Sequence, residues 1–132
     1  MITALLILAQ IAPVQAEPKP ITTTIAAIRA NPKKFDSQVV RLHGYVNSCA
    51  TATCDIDERL RTAPAGPGES LSIAKDKKFD EVVRPLVPSY VEIDARVDAT
   101  CIITPCLDRG SALTILRLRS VVSPEPPKLE NP

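Results

Sequence analysis

The clearest pattern along the chain is a strict alternation of apolar and polar residues over residues 90–100, YVEIDARVDAT. Four apolar residues from Val91 to Val97 alternate there with charged ones, and this period of two predicts a strand with one buried and one solvated face. A similar alternation predicts a strand over residues 39–48, where Gly44 interrupts the apolar face. A glycine inside a strand is typical of a bulge or a sharp bend.

Three further strands are predicted, over residues 54–60, 71–74 and 112–122. In the last of them Leu116 and Leu118 alternate with Arg117 and Arg119, which predicts that both leucines face the core.

Two other stretches carry apolar residues at helical spacing. The first begins with Ile21, Ile25 and Ile28, is flanked by threonines that can cap it, and stops at Asn31-Pro32. The second covers residues 76–88, with Asp76 as the candidate N-cap. Its predicted apolar face consists of Phe79, Val82, Val83 and Leu86.

Three strands, a helix and two strands follow one another in the OB fold, a small five-stranded barrel. The opening segment is also similar to that of small bacterial OB-fold domains, where a short helix, an Asn-Pro and an aromatic-Asp turn lead into a Val-x-Val-x-Gly-x-Val strand. Those positions are here Asn31-Pro32, Phe35-Asp36 and residues 40–46. The resemblance implies a mainly β fold with short helices, a five-stranded OB-fold barrel of order β-β-β-α-β-β preceded by a short N-terminal helix. It also implies that the loops after the first and fourth strands lie at one end of the barrel and flank the ligand-binding face.

The first 16 residues have the features of a secretory signal peptide, because an apolar run precedes the small-residue cleavage site Val14-Gln15-Ala16. The OB-fold domain is then expected to cover residues 17–122, and the proline-rich residues 123–132 are expected to form a disordered tail. The apolar run is too short to span a bilayer. We therefore expect a mature chain that is periplasmic or secreted, has no transmembrane anchor and is monomeric.

All four cysteines occur as two pairs, with four residues between the members of each pair: Cys49 and Cys54, Cys101 and Cys106. An oxidising compartment favours disulfides, and hairpin ends bring the members of each local pair within reach of one another. Disulfides that cross between the two loops are an alternative, since the loop-entropy model gives the longer closures more stabilisation. A four-cysteine zinc site or a redox centre is a further alternative, although the spacing is at the wide limit for zinc and wider than the C-x-x-C of redox enzymes.

Apart from the cysteines, the sequence offers little catalytic chemistry. His43 is the only histidine, and the sequence contains no phosphate-binding loop, no G-x-S-x-G and no H-E-x-x-H. We therefore predict a binding or interaction module rather than an enzyme, with no cofactor and no metal.

The charge pattern indicates where a ligand would bind. A formal net charge of +1 and an aromatic content of 3% argue against nucleic acid as a partner, although single-stranded nucleic acid binding by the OB face is the main alternative function. Outward positions of a strand are polar on any solvated face, but here they combine cations with an aromatic ring. The candidate ligand face consists of Arg41, His43, Tyr45, Arg96, Arg117 and Arg119. The expected partner is an envelope protein or a small anionic or glycan ligand.

Overall fold

A computed structural model describes residues 19–50, 53–61, 70–104, 106 and 110–124. The predicted signal peptide and the tail from residue 125 onward lie outside these residues. The strands are β1 (Ile21–Thr22), β2 (Val39–Cys49), β3 (Cys54–Asp57), β4 (Leu71–Ile73), β5 (Ser89–Val97) and β6 (Leu113–Val122). The helices are α1 (Ile25–Ala30), α2 (Pro32–Phe35), α3 (Lys77–Val83) and α4 (Thr100–Ile103). None of the described helices is long and apolar enough to cross a membrane.

Five strands close into a barrel around one apolar core. Strand β2 pairs with β3 on one side and with β5 on the other, and the circuit is completed by the pairs β3–β4, β4–β6 and β6–β5. Only β4 and β6 run parallel to each other within this circuit, and the chain between β4 and β5 contains α3. This confirms the predicted fold class, a mainly β protein with short helices and a five-stranded barrel compatible with the OB fold.

The barrel closes because β2 changes partners along its length. Tyr45 and Val46 pair with residues of both β3 and β5. Gly44, just before this point, lets β3 approach closely, since a Cβ atom there would lie 2.6 Å from Ile56 Cγ1 and 2.8 Å from the carbonyl oxygen of Asp57. The glycine that interrupts the apolar pattern of β2 is therefore the position at which two strands of the barrel come into contact.

The first predicted helix begins later than its isoleucine spacing suggests. Ile21 is 44% exposed and belongs to β1, which pairs with β2 in parallel outside the barrel circuit. Helix α1 starts after Thr24, whose Oγ1 accepts a hydrogen bond from the backbone N–H of Ala27 at 3.0 Å. The threonine cap, rather than the apolar spacing, therefore determines where this helix begins.

The second predicted helix buries only half of its expected apolar face. Phe79 and Val83 are buried, whereas Val82 and Leu86 are 37% and 41% exposed. The α-helix ends at Val83 and continues as a 3-10 turn over Arg84–Leu86. Because the tighter turn changes the rotation per residue, the last apolar position no longer faces the core.

The strict alternation predicted for the last strand is wrong. Asp94 lies opposite Arg117, but the next residue of β5, Ala95, lies opposite Ile115, so Leu116 is an extra residue in β6. A second irregularity of the same kind occurs at Arg119. Each bulge shifts the inward and outward positions by one. Leu116 is therefore 52% exposed, while Leu118 packs against the core.

Candidate ligand-binding face

The outward side chains of β2, β5 and β6 form one continuous surface, which we call the basic face. The strand register places Arg41 opposite Asp94 and Asp94 opposite Arg117, so these three side chains form a row across the sheet. The basic face comprises Arg41, His43, Tyr45, Tyr90, Glu92, Asp94, Arg96, Arg117 and Arg119. All six residues proposed from the sequence lie on it, and the structure adds Tyr90, Glu92 and Asp94.

One end of the basic face contains a pocket of about 390 Å³, which we call the arginine pocket. It is lined by Pro20, Val39, Arg41, Asp94, Arg96, Leu116 and Arg117. Three arginines and a single carboxylate thus line the pocket, and the remaining lining residues are apolar. The volume lies within the range of small-molecule sites. The pocket is therefore suited to a ligand that carries negative charge on an apolar or partly apolar body.

The carboxylate of Asp94 organises the arginines around it. Arg41 Nε donates to Asp94 Oδ1 at 2.9 Å and an Nη of Arg41 donates to Oδ2 at 3.2 Å, which makes the pair bidentate. Arg119 Nη1 lies 3.8 Å from Asp94 Oδ2. The hydrogen bonds from Arg41 lower the pKa of Asp94, and the charges of Arg41, Arg119 and Arg117 lower it further. Asp94 therefore remains ionised, and it is only 6% exposed although the alternation predicted a solvated position.

A second carboxylate, that of Glu92, continues this network towards the middle of the face. His43 Nε2 lies 3.0 Å from Glu92 Oε2, and Arg119 Nε donates to the other oxygen, Oε1. Carboxylates consequently alternate with arginine and histidine side chains across the three strands. This mutual pairing holds the side chains in place and neutralises most of the charge in the middle of the face.

The other end of the basic face is aromatic. The rings of Tyr45 and Tyr90 have centroids 4.8 Å apart and are tilted by 58°, and the His43 ring lies 6.0 Å from that of Tyr90. Tyr90 is 37% exposed, so part of its ring is open to a ligand. The sequence reasoning missed Tyr90, although it has the same parity along β5 as Glu92 and could have been found from the alternation.

Both disulfides are local, as the spacing favoured: Cys49–Cys54 and Cys101–Cys106. The crossed pairing and the four-cysteine zinc site are therefore wrong. The carboxylate of Asp98 lies 3.7 Å from Cys101 Sγ. A nearby negative charge disfavours a thiolate, which is the opposite of the electropositive surroundings of catalytic dithiols. We call the segments closed by the two disulfides the braced loops.

The two braced loops lie at opposite ends of the basic face. Val46 of β2 lies opposite Ser89 and Val39 lies opposite Arg96, so β2 and β5 are antiparallel. The Cys49 disulfide follows the far end of β2, whereas the Cys101 disulfide follows the far end of β5. The two loops therefore do not flank the basic face from one end.

On the other side of the barrel the two loops do come together. Cys54 lies opposite Ile73, Ile73 opposite Leu113 and Leu113 opposite Val97, so one row of paired residues connects them. The strands of a closed barrel are staggered, so a row of paired residues that starts on β2 and is followed once around the barrel returns to β2 far from its starting point. The two loops can therefore be close together on one side of the barrel and far apart on the other.

A second depression, of about 220 Å³, lies beside the Cys101 disulfide on β3 and β4. Its lining includes Asp55, Ser72, Cys101 and Cys106 together with Arg29. Burial raises the pKa of Asp55. Arg29 already donates to the backbone carbonyl of Ser70. Its described lining has one arginine and one carboxylate, whereas the arginine pocket has three arginines and one carboxylate, so the arginine pocket is the stronger candidate for an anion.

Within the described ranges, no group of three or more His, Cys, Asp or Glu residues is arranged to hold a metal ion. No model of a known protein family matches the sequence, and a comparison with curated proteins finds no similar one.

Proposed function

We propose that this protein is an exported, non-enzymatic binding module that holds a small organic anion in the arginine pocket. The observation that carries the proposal is the charge of the pocket. Three arginines and one carboxylate line the pocket, and that carboxylate is paired with Arg41. The lining therefore has more cationic than anionic side chains, together with the apolar side chains of Val39 and Leu116.

The braces support a binding role rather than a reactive one. One disulfide closes the hairpin at the aromatic end, and the other closes the loop that follows β5 at the pocket end. A loop held by a disulfide loses less conformational freedom when a ligand binds, so more of the interaction energy is retained as affinity. Disulfides also agree with an oxidising compartment. We further propose that the mature protein begins after Ala16, is periplasmic or secreted, and is a monomer.

The test is calorimetric titration of the purified oxidised protein with glucuronate and with inorganic phosphate at low salt. We expect binding of at least one of these anions, and about tenfold weaker binding to the Arg117→Gln variant, since a charge-assisted hydrogen bond contributes about 1.5–3 kcal/mol. Arg59→Gln is the matched control, because it removes the same charge from an exposed position outside the pocket. Failure of both anions to bind, or equal loss in both variants, would contradict the proposal.

Export is tested separately. Cell fractionation followed by N-terminal sequencing of the recovered protein should place it outside the cytoplasm with Glu17 as its first residue. A cytoplasmic protein that retains residues 1–16 would refute this part of the proposal.

A further inference from the structure

We propose that the edge of β6 that does not face β5 binds an extended acidic peptide of a partner protein as an additional strand. The site consists of this edge over residues 114–122 and of the adjoining groove between β6 and α3. It does not depend on anion binding, although Leu116 and Arg117 line both this groove and the arginine pocket.

Strand β6 is paired along only one of its two edges. It pairs with β5 from Leu113 to Val122, whereas β4 pairs with it at a single position, where Ile73 lies opposite Leu113. No other described strand pairs with β6. In an antiparallel ladder about every second residue directs its N–H and C=O groups away from the partner strand. Residues 114–122 therefore present backbone donors and acceptors on their second edge that no described strand uses.

The burial of the apolar residues in β6 reflects this missing neighbour. Inward residues that have a paired strand on both sides are fully buried, and both Val46 of β2 and Ile93 of β5 are 0% exposed. Ile115, Leu118 and Val121 pack against the core but remain partly exposed. A strand added at this edge would cover them with every second one of its own side chains. The peptide is therefore expected to be apolar at alternate positions.

The groove between β6 and α3, which we call the edge groove, accommodates one of these apolar side chains. Its volume is about 230 Å³, and it lies beside the buried ring of Phe79. The lining residues are Asp76, Lys78, Phe79, Ile115, Leu116, Arg117 and Leu118. In recognition by strand addition, backbone hydrogen bonds provide affinity and pockets for alternate side chains provide specificity. The open edge of β6 and the edge groove offer both.

Lysines at the start of α3 determine the charge of the peptide. Lys75, Lys77 and Lys78 are all exposed, and none of them forms an ion pair within the described part of the chain. The carboxylate in the described lining, that of Asp76, caps α3 by accepting from the N–H of Phe79 at 2.8 Å. Carboxylates of a peptide would therefore be attracted by lysines that have no counter-charge. The complementary peptide alternates acidic with apolar residues.

A second copy of this chain lacks that complementarity. Its β6, LTILRLRSVV, contains two arginines and no Asp or Glu, so pairing of two β6 edges would bring no carboxylate of β6 to the lysines. The two bulges also bend β6 and increase its twist, which opposes pairing with another long strand. A short acidic peptide is subject to neither restriction.

The test is an NMR titration of the isotope-labelled, oxidised protein with a synthetic hexapeptide in which glutamate and valine alternate and both ends are blocked. We expect chemical-shift changes in residues 114–122 and in the first turn of α3. The β6 amides that point away from β5 should exchange with deuterium more slowly, because pairing with the peptide protects them. A hexapeptide with lysine in place of glutamate is the matched probe and should bind at least about tenfold weaker.

Two modified peptides test strand pairing directly. One is N-methylated at its valines and the other at its glutamates. Because successive residues of a strand direct their N–H groups to opposite edges, only one of these two sets faces β6. One modified peptide should therefore bind at least about tenfold weaker than the unmodified peptide, and the other should keep its affinity. Equal affinity of all three would overturn strand pairing.

Variants separate the edge groove from the arginine pocket. Lys78→Glu should weaken the glutamate peptide about fivefold and strengthen the lysine peptide. Lys33→Glu is the matched control, since it makes the same change at an exposed position of α2, and it should alter neither peptide. Arg96→Gln should weaken anion binding but not peptide binding, because Arg96 lines the arginine pocket and not the edge groove. Thermal unfolding of each variant checks that the barrel is intact.

Three outcomes would overturn this inference. The first is absence of binding by the glutamate peptide, or equal binding of the lysine peptide. The second is a set of shift changes confined to the basic face and lost in Arg96→Gln, which would assign the peptide to the arginine pocket and support the proposed function alone. The third is protection of the outer β6 amides in the free protein, which would show that the chain itself or a second copy covers this edge. Dilution distinguishes these two, since only pairing between copies depends on concentration.

Discussion

Replacing Gly44 by alanine tests whether the barrel closes as the structure indicates. An added Cβ would lie 2.6 Å from Ile56 Cγ1, 2.8 Å from the carbonyl oxygen of Asp57 and 3.0 Å from Ile25 Cδ1. Ile56 and Ile25 are both buried in the core, and the Asp57 carbonyl belongs to the backbone of β3. None of these three atoms lies at the free end of a flexible exposed side chain, so the substitution must displace β3 from β2.

The expected magnitude follows from two opposing effects. Overpacking a well-packed core costs about 1–3 kcal/mol, and the two contacts below 3.0 Å place this site at the upper limit. Alanine restricts the unfolded chain more than glycine does, which offsets about 0.5–1 kcal/mol. We therefore expect Gly44→Ala to lower the free energy of unfolding by about 2 kcal/mol, which corresponds to a fall in Tm of about 10 °C for a domain of this size.

Urea unfolding followed by circular dichroism measures this change. Ser48→Ala is the matched control, because Ser48 is an exposed residue of the same strand and its replacement should change stability by no more than about 0.5 kcal/mol. In the double variant Gly44→Ala with Ile56→Ala, the loss should be smaller than the sum of the two single losses, since the second change removes one clash. A Gly44→Ala protein as stable as the wild type would refute the close approach of β2 and β3.

Three other predictions concern the ion pair, the second disulfide and the helix cap. The hydrogen bonds from Arg41 hold the pKa of Asp94 in the folded protein below its ordinary value of 3.8. As the pH falls, the Asp94 carboxylate of the unfolded chain is therefore protonated before that of the folded protein. The stabilisation from the ion pair is complete above about pH 5 and is lost as the pH falls through the pKa of Asp94 in the folded protein. We expect Asp94→Asn to be less stable than the wild type at pH 7 and the difference to narrow below about pH 4 in urea titrations; a difference that stays constant down to about pH 2 would contradict this. Replacing both Cys101 and Cys106 by serine should lower the free energy of unfolding by about 2 kcal/mol, the loop-entropy value for so short a closure, while near-native circular dichroism shows that the barrel persists. Asp76→Ala should cost about 1 kcal/mol in the same assay, because the Asp76 carboxylate caps the first turn of α3, and an unchanged stability would mean that this cap contributes nothing.

The parts of the fold that depend on local pattern could be predicted from the sequence. The inward residues of β5 are buried as the alternation indicates, from Val91 to Val97, and Asp76 caps α3 as its position suggests. The bulges of β6 could not be predicted, because nothing in the residues around Leu116 distinguishes a strand with an extra residue from a regular one. Bulges arise from the register with the neighbouring strand, which is a property of the assembled sheet.

The candidate site likewise contains some residues that could be predicted from the sequence and others that could not. Each arginine of the basic face was identified because it occupies an outward position in the alternating pattern of its own strand. The roles of Asp94 and Glu92 were missed, because each appeared to be a solvated charge on β5. Only the register shows that Asp94 lies opposite both Arg41 and Arg117, and that it is therefore buried beneath them.

By itself the sequence determined local features of this protein, namely the periodicity of β5, the helix caps and the glycine in β2, and it favoured the pairing of cysteines that are only five positions apart. The tertiary structure decided which of the residues in these local features are in contact with one another. Closure of the barrel joins residues about fifty positions apart, such as Arg41 and Asp94, and the stagger of its strands places the two braced loops at opposite ends of the basic face. Those contacts depend on how the strands are aligned with one another, and a period within a single strand contains no information about that alignment.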